Sequence, residues 1–188
     1  MKPLKPENSP ITRRDLIKCS LASGAVLATG LPLSAVAADK SIPPEFRPEH
    51  AKLRFLESMN CSQAILETYA PEFGLSVENA RKVAAAFAGG MGMGTECGAV
   101  TGAFMVIGMK YGKTRDDDSR ADSETFKRLA RFVEEFKAKH GHIECSSLLE
   151  TDMGTPEGVK EAAGKGYFTS RCPVFVKTAS QLLEKILA

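Results

Sequence analysis

Fourteen residues in the middle of the chain, Cys97 to Lys110, constrain its fold more than any other stretch. Ala99, Val100, Ala103, Phe104, Met105, Val106 and Ile107 put apolar side chains on nearly every side of a helix. A helix of this kind is stable in water only when others enclose it, so the pattern predicts a central, buried helix. The flanking sequence supplies the neighbours. A helix is expected from Glu49 to Ala70, with Leu53, Leu56, Met59, Ala64 and Ile65 at 3–4 spacing and Pro71 and Gly74 closing it. Ser76 suits the N-cap of a second helix reaching Ala88. Asp116, Asp117 and Asp118 suit the start of another, with Phe126, Leu129, Phe132, Val133 and Phe136 along one stripe. Short helical turns are expected after Cys145 and after Thr155-Pro156. A last helix from Pro173 to Leu187 would bury Phe175, Ala179, Leu182, Leu183 and Ile186. No stretch alternates as a strand does, so the expected fold is all-α, one compact bundle-like domain.

The first 37 residues read as a targeting segment and stand outside that domain. Thr12-Arg13-Arg14-Asp15-Leu16-Ile17-Lys18 is a twin-arginine pattern. An apolar run from Leu21 to Ala38 follows and contains Ala35-Val36-Ala37, a small-residue cleavage pattern. An uncleaved anchor is the alternative, because the run is near the ~18–20 residues that span a bilayer. Gly24, Gly30, Pro32 and the Ala-x-Ala end argue against it. The twin-arginine route carries folded proteins. The reading is therefore a periplasmic or otherwise exported protein, folded before export and left without a stable membrane span. Cleavage before Ala38 removes Cys19, five basic and two acidic residues, which takes the formal charge from +2 to −1. A nearly neutral chain without a basic, aromatic-rich patch excludes nucleic acid as a partner. Residues 38–48 form a Pro-rich lead-in, and 49–188 are enough for one domain with a real core.

Four cysteines remain: Cys61, Cys97, Cys145 and Cys172. No two form a CxxC pair. Cys97, Cys145 and Cys172 fall at expected helix starts, where a thiol is acidified and thiolate is favoured. Cys61 is expected in the body of the first helix. Thiolate is the form that binds metal and attacks disulfides, and four thiolates commonly hold an iron–sulfur cluster. In an oxidising compartment four cysteines most simply make two disulfides, with three pairings open. On spacing alone, disulfides rank first, a cluster second and zinc third.

Gly89-Gly90-Met91-Gly92-Met93-Gly94 must be a loop. It lacks the preceding strand of a nucleotide fingerprint, so no nucleotide is expected. Either it is a tight connection between packed helices, or it lets backbone N–H groups approach a cluster. In the second case Gly92, Gly94 and Gly98 are the cofactor-binding candidates. His142 and Cys145 could share a metal only within one turn. His140 and His142 are expected at an exposed helix end beside Gly141. Met105 and Met109 are expected in the core rather than on a soft metal. There is no haem-attachment motif, nucleophile elbow, zincin motif or P-loop.

Asn60-Cys61-Ser62-Gln63-Ala64, the glycine loop, Cys97-Gly98-Ala99-Val100-Thr101-Gly102, Gly108, Tyr111-Gly112, Cys145 and Cys172 follow one another in an order that resembles the C_GCAxxG_C_C family of redox-active proteins. The resemblance covers about Leu53 to Leu183. The family label writes Gly-Cys-Ala where this chain reads Cys97-Gly98-Ala99. A related domain in split-Soret cytochrome c looks like a carrier of an Fe–S cluster beside haems. The resemblance implies a redox role for Cys61, Cys97, Cys145 and Cys172 and moves a cluster to first place, [2Fe–2S] ahead of [4Fe–4S], with no haem. The expectation is an electron carrier with an unidentified redox partner protein rather than a stand-alone enzyme. Self-association into a homo-oligomer stays open. The alternatives are a thiol–disulfide oxidoreductase or disulfide-stapled domain without metal, and an interaction module with structural zinc.

Overall fold

A computed structural model describes residues 40–188. The expected export signal, its expected cleavage site and Cys19 lie outside the described residues. Among the described residues there is no strand, and the chain is helical as its periodicity predicts. No helix there is long and apolar enough to cross a membrane.

A short turn, Pro44–Phe46, leads into α1, Arg47–Ser58. The expected first helix does not continue to Ala70. It ends at Met59, which turns left-handed (φ 54°, ψ 24°) and donates its N–H to the Phe55 carbonyl oxygen at 2.7 Å. Asn60 then caps a second helix, α2, Cys61–Tyr69, by accepting the Gln63 N–H at 3.0 Å. An asparagine cap satisfies one of the donors that a helix start leaves unpaired. Cys61 therefore opens a helix instead of sitting inside one. Leu53 and Met59, expected in the core, are about half exposed; Ala51 and Phe55 carry the buried face of α1.

Pro71 and Gly74 do close α2, through a tight turn at Ala70–Phe73 with Gly74 left-handed at φ 77°. Ser76 caps α3, Val77–Ala84, by accepting the Asn79 N–H at 3.3 Å. The glycine loop winds through positive φ at Gly89, Gly90, Met91, Gly92 and Gly94. After it comes α4, Gly98–Tyr111, which packs against α2, against α5 (Ser119–His140) and against α9 (Cys172–Leu187). This is the enclosed central helix that the sequence predicts: Gly98 to Ala103, Val106 and Ile107 are buried. Met105 and Met109 are half-buried against the same core. Asp118 caps α5 through the Ala121 N–H at 3.0 Å, and Phe132 and Phe136 are its buried stripe. Phe126, expected on that stripe, is exposed at its edge, while Arg128 beside it reaches α9 and α4, donating to the Ile186 carbonyl oxygen at 2.6 Å and lying over the Tyr111 ring. Three short helices, α6 (Cys145–Leu149), α7 (Pro156–Gly164) and α8 (Tyr167–Ser170), return the chain to α9.

Two polar clusters fix α1 and α2 to each other, one joining them to α9 and the other to α3. Arg47 stacks on the Tyr69 ring, 5.1 Å from its centroid, and pairs with Glu72 and Glu184. The Tyr69 hydroxyl lies 2.7 Å from both Ser180 Oγ and Glu184 Oε1. Glu67, 4% exposed, pairs with Arg54 of α1 and Arg81 of α3. Buried carboxylates are tolerated when paired in this way. The result holds α2, and with it Cys61, in a fixed place.

Candidate redox site

The four cysteines each stand at a helix start. Cys61 opens α2, Cys97 is the residue before α4, Cys145 opens α6 and Cys172 opens α9. Tertiary packing brings these starts together. The Cys97 N–H donates to the Ile143 carbonyl oxygen at 2.7 Å, and the Cys145 N–H donates to that of Thr95 at 2.6 Å. These bonds flank a single antiparallel bridge between Glu96 and Glu144. Side chains alternate across extended backbone, so Cys97 and Cys145 share the face opposite the two glutamates. The glutamate side is half-buried, and the cysteine side faces the interior.

All four cysteines line one cavity of about 680 Å³. Cys97 and Cys145 are buried; Cys61 and Cys172 are half-buried. None is in a disulfide. Among the described residues, no three Cys, His, Asp or Glu side chains converge on one point closely enough to hold a single metal ion.

The Cys61 thiol differs from the other three. The Cys97 thiol hydrogen-bonds its sulfur and lowers its pKa to about 7, against the opposing effect of burial. The backbone N–H groups of Gly89, Cys61 and Ser62 add to that stabilisation of thiolate. The same thiol–thiol hydrogen bond, then burial, pushes Cys97 well above the usual thiol range. Burial, then the nearby Cys61 charge, raises Cys145 to about 12. Cys172 is also raised to about 12, by burial first and then by Cys61 and Cys145. The expected acidification of Cys97, Cys145 and Cys172 therefore fails, and the acidified thiol is Cys61, the one expected inside a helix. At Cys97, Cys145 and Cys172 desolvation outweighs the helix start.

The three glycine candidates occupy different places. Gly98 presses on Cys61: a Cβ there would overlap the Cys61 sulfur and lie 2.9 Å from the Phe87 carbonyl oxygen. Gly92 lines the cavity, with open space where a Cβ would be. Gly94 packs instead against Ser146 and Gly154, outside the cavity lining. The loop's close donor to sulfur is Gly89, which the sequence reading does not single out.

Sequence reasoning also passes over Asn60 and Ser62. Asn60 donates from Nδ2 to the Ala85 carbonyl oxygen at 3.1 Å, and the buried Ser62 hydroxyl lies 2.8 Å from that of Ala84. These contacts bring the Cys61 turn against the segment leading to Gly89. The pattern Asn60-x-x-Gln63 is a legible cap signal, since asparagine is a preferred N-cap and Gln63 stands at the third helical position.

His140 is not at a frayed end. It packs 4.7 Å from Phe136 and 5.0 Å from Phe175, ring centre to ring centre, and burial lowers its pKa. His142 is exposed, with Nδ1 3.9 Å from Glu144.

No curated protein and no solved structure matches this chain. Residues 59–186 match the family model described as "Putative redox-active protein (C_GCAxxG_C_C)". That span includes all four cysteines and the loop beside them, and the chain belongs to the C_GCAxxG_C_C redox-active protein family.

Proposed function

We propose that Cys61, Cys97, Cys145 and Cys172 hold one iron–sulfur cluster, and that the protein carries electrons for a redox partner in the cell envelope after twin-arginine export. One observation carries the reading: four thiols far apart in sequence line a single, mostly apolar cavity. The donor set fits the group. Four cysteine thiolates are the common ligand set of such clusters. A bound cluster supplies one-electron transfer.

The chain's own residues do the rest. Cys61 offers a thiolate near neutral pH. Cys97, Cys145 and Cys172 keep their protons until a metal replaces them, so loading releases protons. The N–H groups of Gly89, Cys61 and Ser62 stabilise negative charge at the Cys61 sulfur, and such bonds raise a cluster's potential. Gly98 leaves the room that sulfur needs. Phe55, Leu148, Leu149 and Phe175 keep water from the walls.

The test is a set of four single Cys→Ser variants, loaded with iron and sulfide under anaerobic conditions. Each should retain less than half of the wild-type iron and visible absorption. Four variants that all load as the parent does would overturn the assignment. Replacement of Arg13 and Arg14 by lysine should trap the precursor in the cytoplasm; unchanged export would remove the twin-arginine part.

A second reading is favoured by the Cys61–Cys97 hydrogen bond, which pairs a thiolate with a thiol. The Cys61 thiolate would attack a partner protein's disulfide, and Cys97 would then resolve the mixed disulfide. Two electrons pass to the partner as its two thiols form. Mass spectrometry separates the readings: a Cys61–Cys97 disulfide in metal-free protein after mild oxidation supports the second.

A further inference from the structure

The cavity also says what kind of molecule can reach the cysteines. Its volume, about 680 Å³, lies in the range of small-molecule sites. The cysteines contribute only part of the wall. Phe55, Met153, Val159, Phe168 and Phe175 supply aromatic and aliphatic surface from α1, α7, α8, α9 and the turn before α7. Met59 and Val159 line the cavity and are 52% and 39% exposed, so they mark its opening to solvent.

The lining is as informative for its charge as for its shape. Among the described residues that form it, none is Asp, Glu, Lys, Arg or His. Thr155 is the sole hydroxyl, and it donates to the Asp152 carbonyl oxygen at 2.9 Å. The Gly89 N–H is engaged by the Cys61 sulfur. A carboxylate, phosphate or sulfonate entering the cavity would find no cation to pair with, and an unpaired buried charge is strongly disfavoured. A neutral ring system loses nothing of this kind and gains contact with five aromatic or thioether side chains.

We propose that this cavity binds a small, uncharged, aromatic molecule against the cysteine wall. The binding claim stands apart from the redox reading above. The site selects against anions because it lacks a countercharge, and it takes a flat ring because its free walls are aromatic and aliphatic.

Two dyes that differ by one sulfonate provide the probe: neutral N-phenyl-1-naphthylamine and anionic 8-anilino-1-naphthalenesulfonate. Equilibrium dialysis of anaerobically isolated protein against each, with iron measured on the same sample, gives both affinities. The neutral dye should bind one to one and at least tenfold more tightly than the anion. Val159→Trp at the opening should weaken the neutral dye at least fivefold while the melting temperature stays near the parent value. Equal affinity for the two dyes, no binding of the neutral dye, or binding untouched by Val159→Trp would overturn the proposal. Binding to metal-free protein that disappears on metal loading would also overturn it, since the volume would then belong to the cofactor alone. Neutral-dye binding in protein that takes up no iron would leave the binding site standing and remove the cluster.

Discussion

Substituting the glycines of α4 separates damage to the fold from damage to the sulfur site. Gly98 and Gly102 are both in close contact with α2, and Gly108 is not. A Cβ on Gly98 would overlap the Cys61 sulfur, lying also 2.9 Å from the Phe87 carbonyl oxygen and 3.1 Å from the Ala88 Cα. A Cβ on Gly102 would lie 2.9 Å from the Ile65 Cβ and 3.0 Å from the Ser62 carbonyl oxygen, touching no sulfur. A Cβ on Gly108 meets nothing within 4 Å. All three have helical φ, so the penalty is steric. Overfilling a packed contact costs about 1–3 kcal/mol. Replacing a helical glycine by alanine returns up to about 1 kcal/mol, and less at the first position of a helix. Gly102→Ala should lose up to about 2 kcal/mol, or up to about 8 °C in melting temperature for a domain of this size, and Gly98→Ala, which recovers less, up to about 3 kcal/mol or about 12 °C. Gly108→Ala should gain about 0.5–1 kcal/mol. The two tight variants should part at the metal. Gly98→Ala moves the Cys61 sulfur off its N–H donors and should lose more than half of its bound iron after anaerobic loading, while Gly102→Ala keeps it. The assays are thermal melts and iron content on the same preparations. Iron retained equally by both variants, or lost equally at equal stability, would refute the claim that Gly98 exists to seat that sulfur.

Asn60→Ala should cost about 1 kcal/mol through loss of the α2 cap, and Asn60→Ser should recover most of it; denaturant unfolding measures both. In metal-free protein, iodoacetamide should modify Cys61 first. Its rate should rise as pH increases through about 7, reaching about one tenth of the plateau at pH 6, because thiolate is the reacting form. Cys145 and Cys172, raised to about 12, should stay unmodified at pH 8 as judged by peptide mass mapping. Glu67→Gln breaks the pairs with Arg54 and Arg81. Both arginines reach solvent, so the loss should be about 1–2 kcal/mol in chemical unfolding rather than the larger penalty of a sealed ion pair.

The helices legible in the sequence are those whose apolar pattern is unbroken. α4 is enclosed because it is apolar all round, and α9 buries Phe175, Ala179, Leu182, Leu183 and Ile186, the residues its spacing predicts. The Met59–Asn60 break was hidden because Leu53, Leu56 and Met59 continue a helical spacing up to it; the asparagine cap carried the contrary signal. Phe126 fits the stripe of α5 by period, yet it is exposed while Thr125 and Leu129 are half-buried, and period alone does not show how wide the covered face is. Among the site residues, the helix-start placement of Cys97, Cys145 and Cys172 could be read from Gly98 onwards, Ser146-Ser147 and Pro173. Their acidity could not, since burial depends on what folds over them. The Glu96–Glu144 bridge joins segments 48 residues apart and leaves no local trace. The cavity is likewise invisible in sequence, because its walls come from residues as distant as Phe55 and Phe175.

Iron and acid-labile sulfide, measured together with the visible spectrum on anaerobically isolated protein, test the central claim most directly. The account predicts a brown protein with iron and sulfide in equal amounts, about two of each per chain for [2Fe–2S] or about four for [4Fe–4S]. A colourless, iron-free protein that stays so after anaerobic reconstitution, with all four thiols titrating as free cysteines or as disulfides, would contradict it.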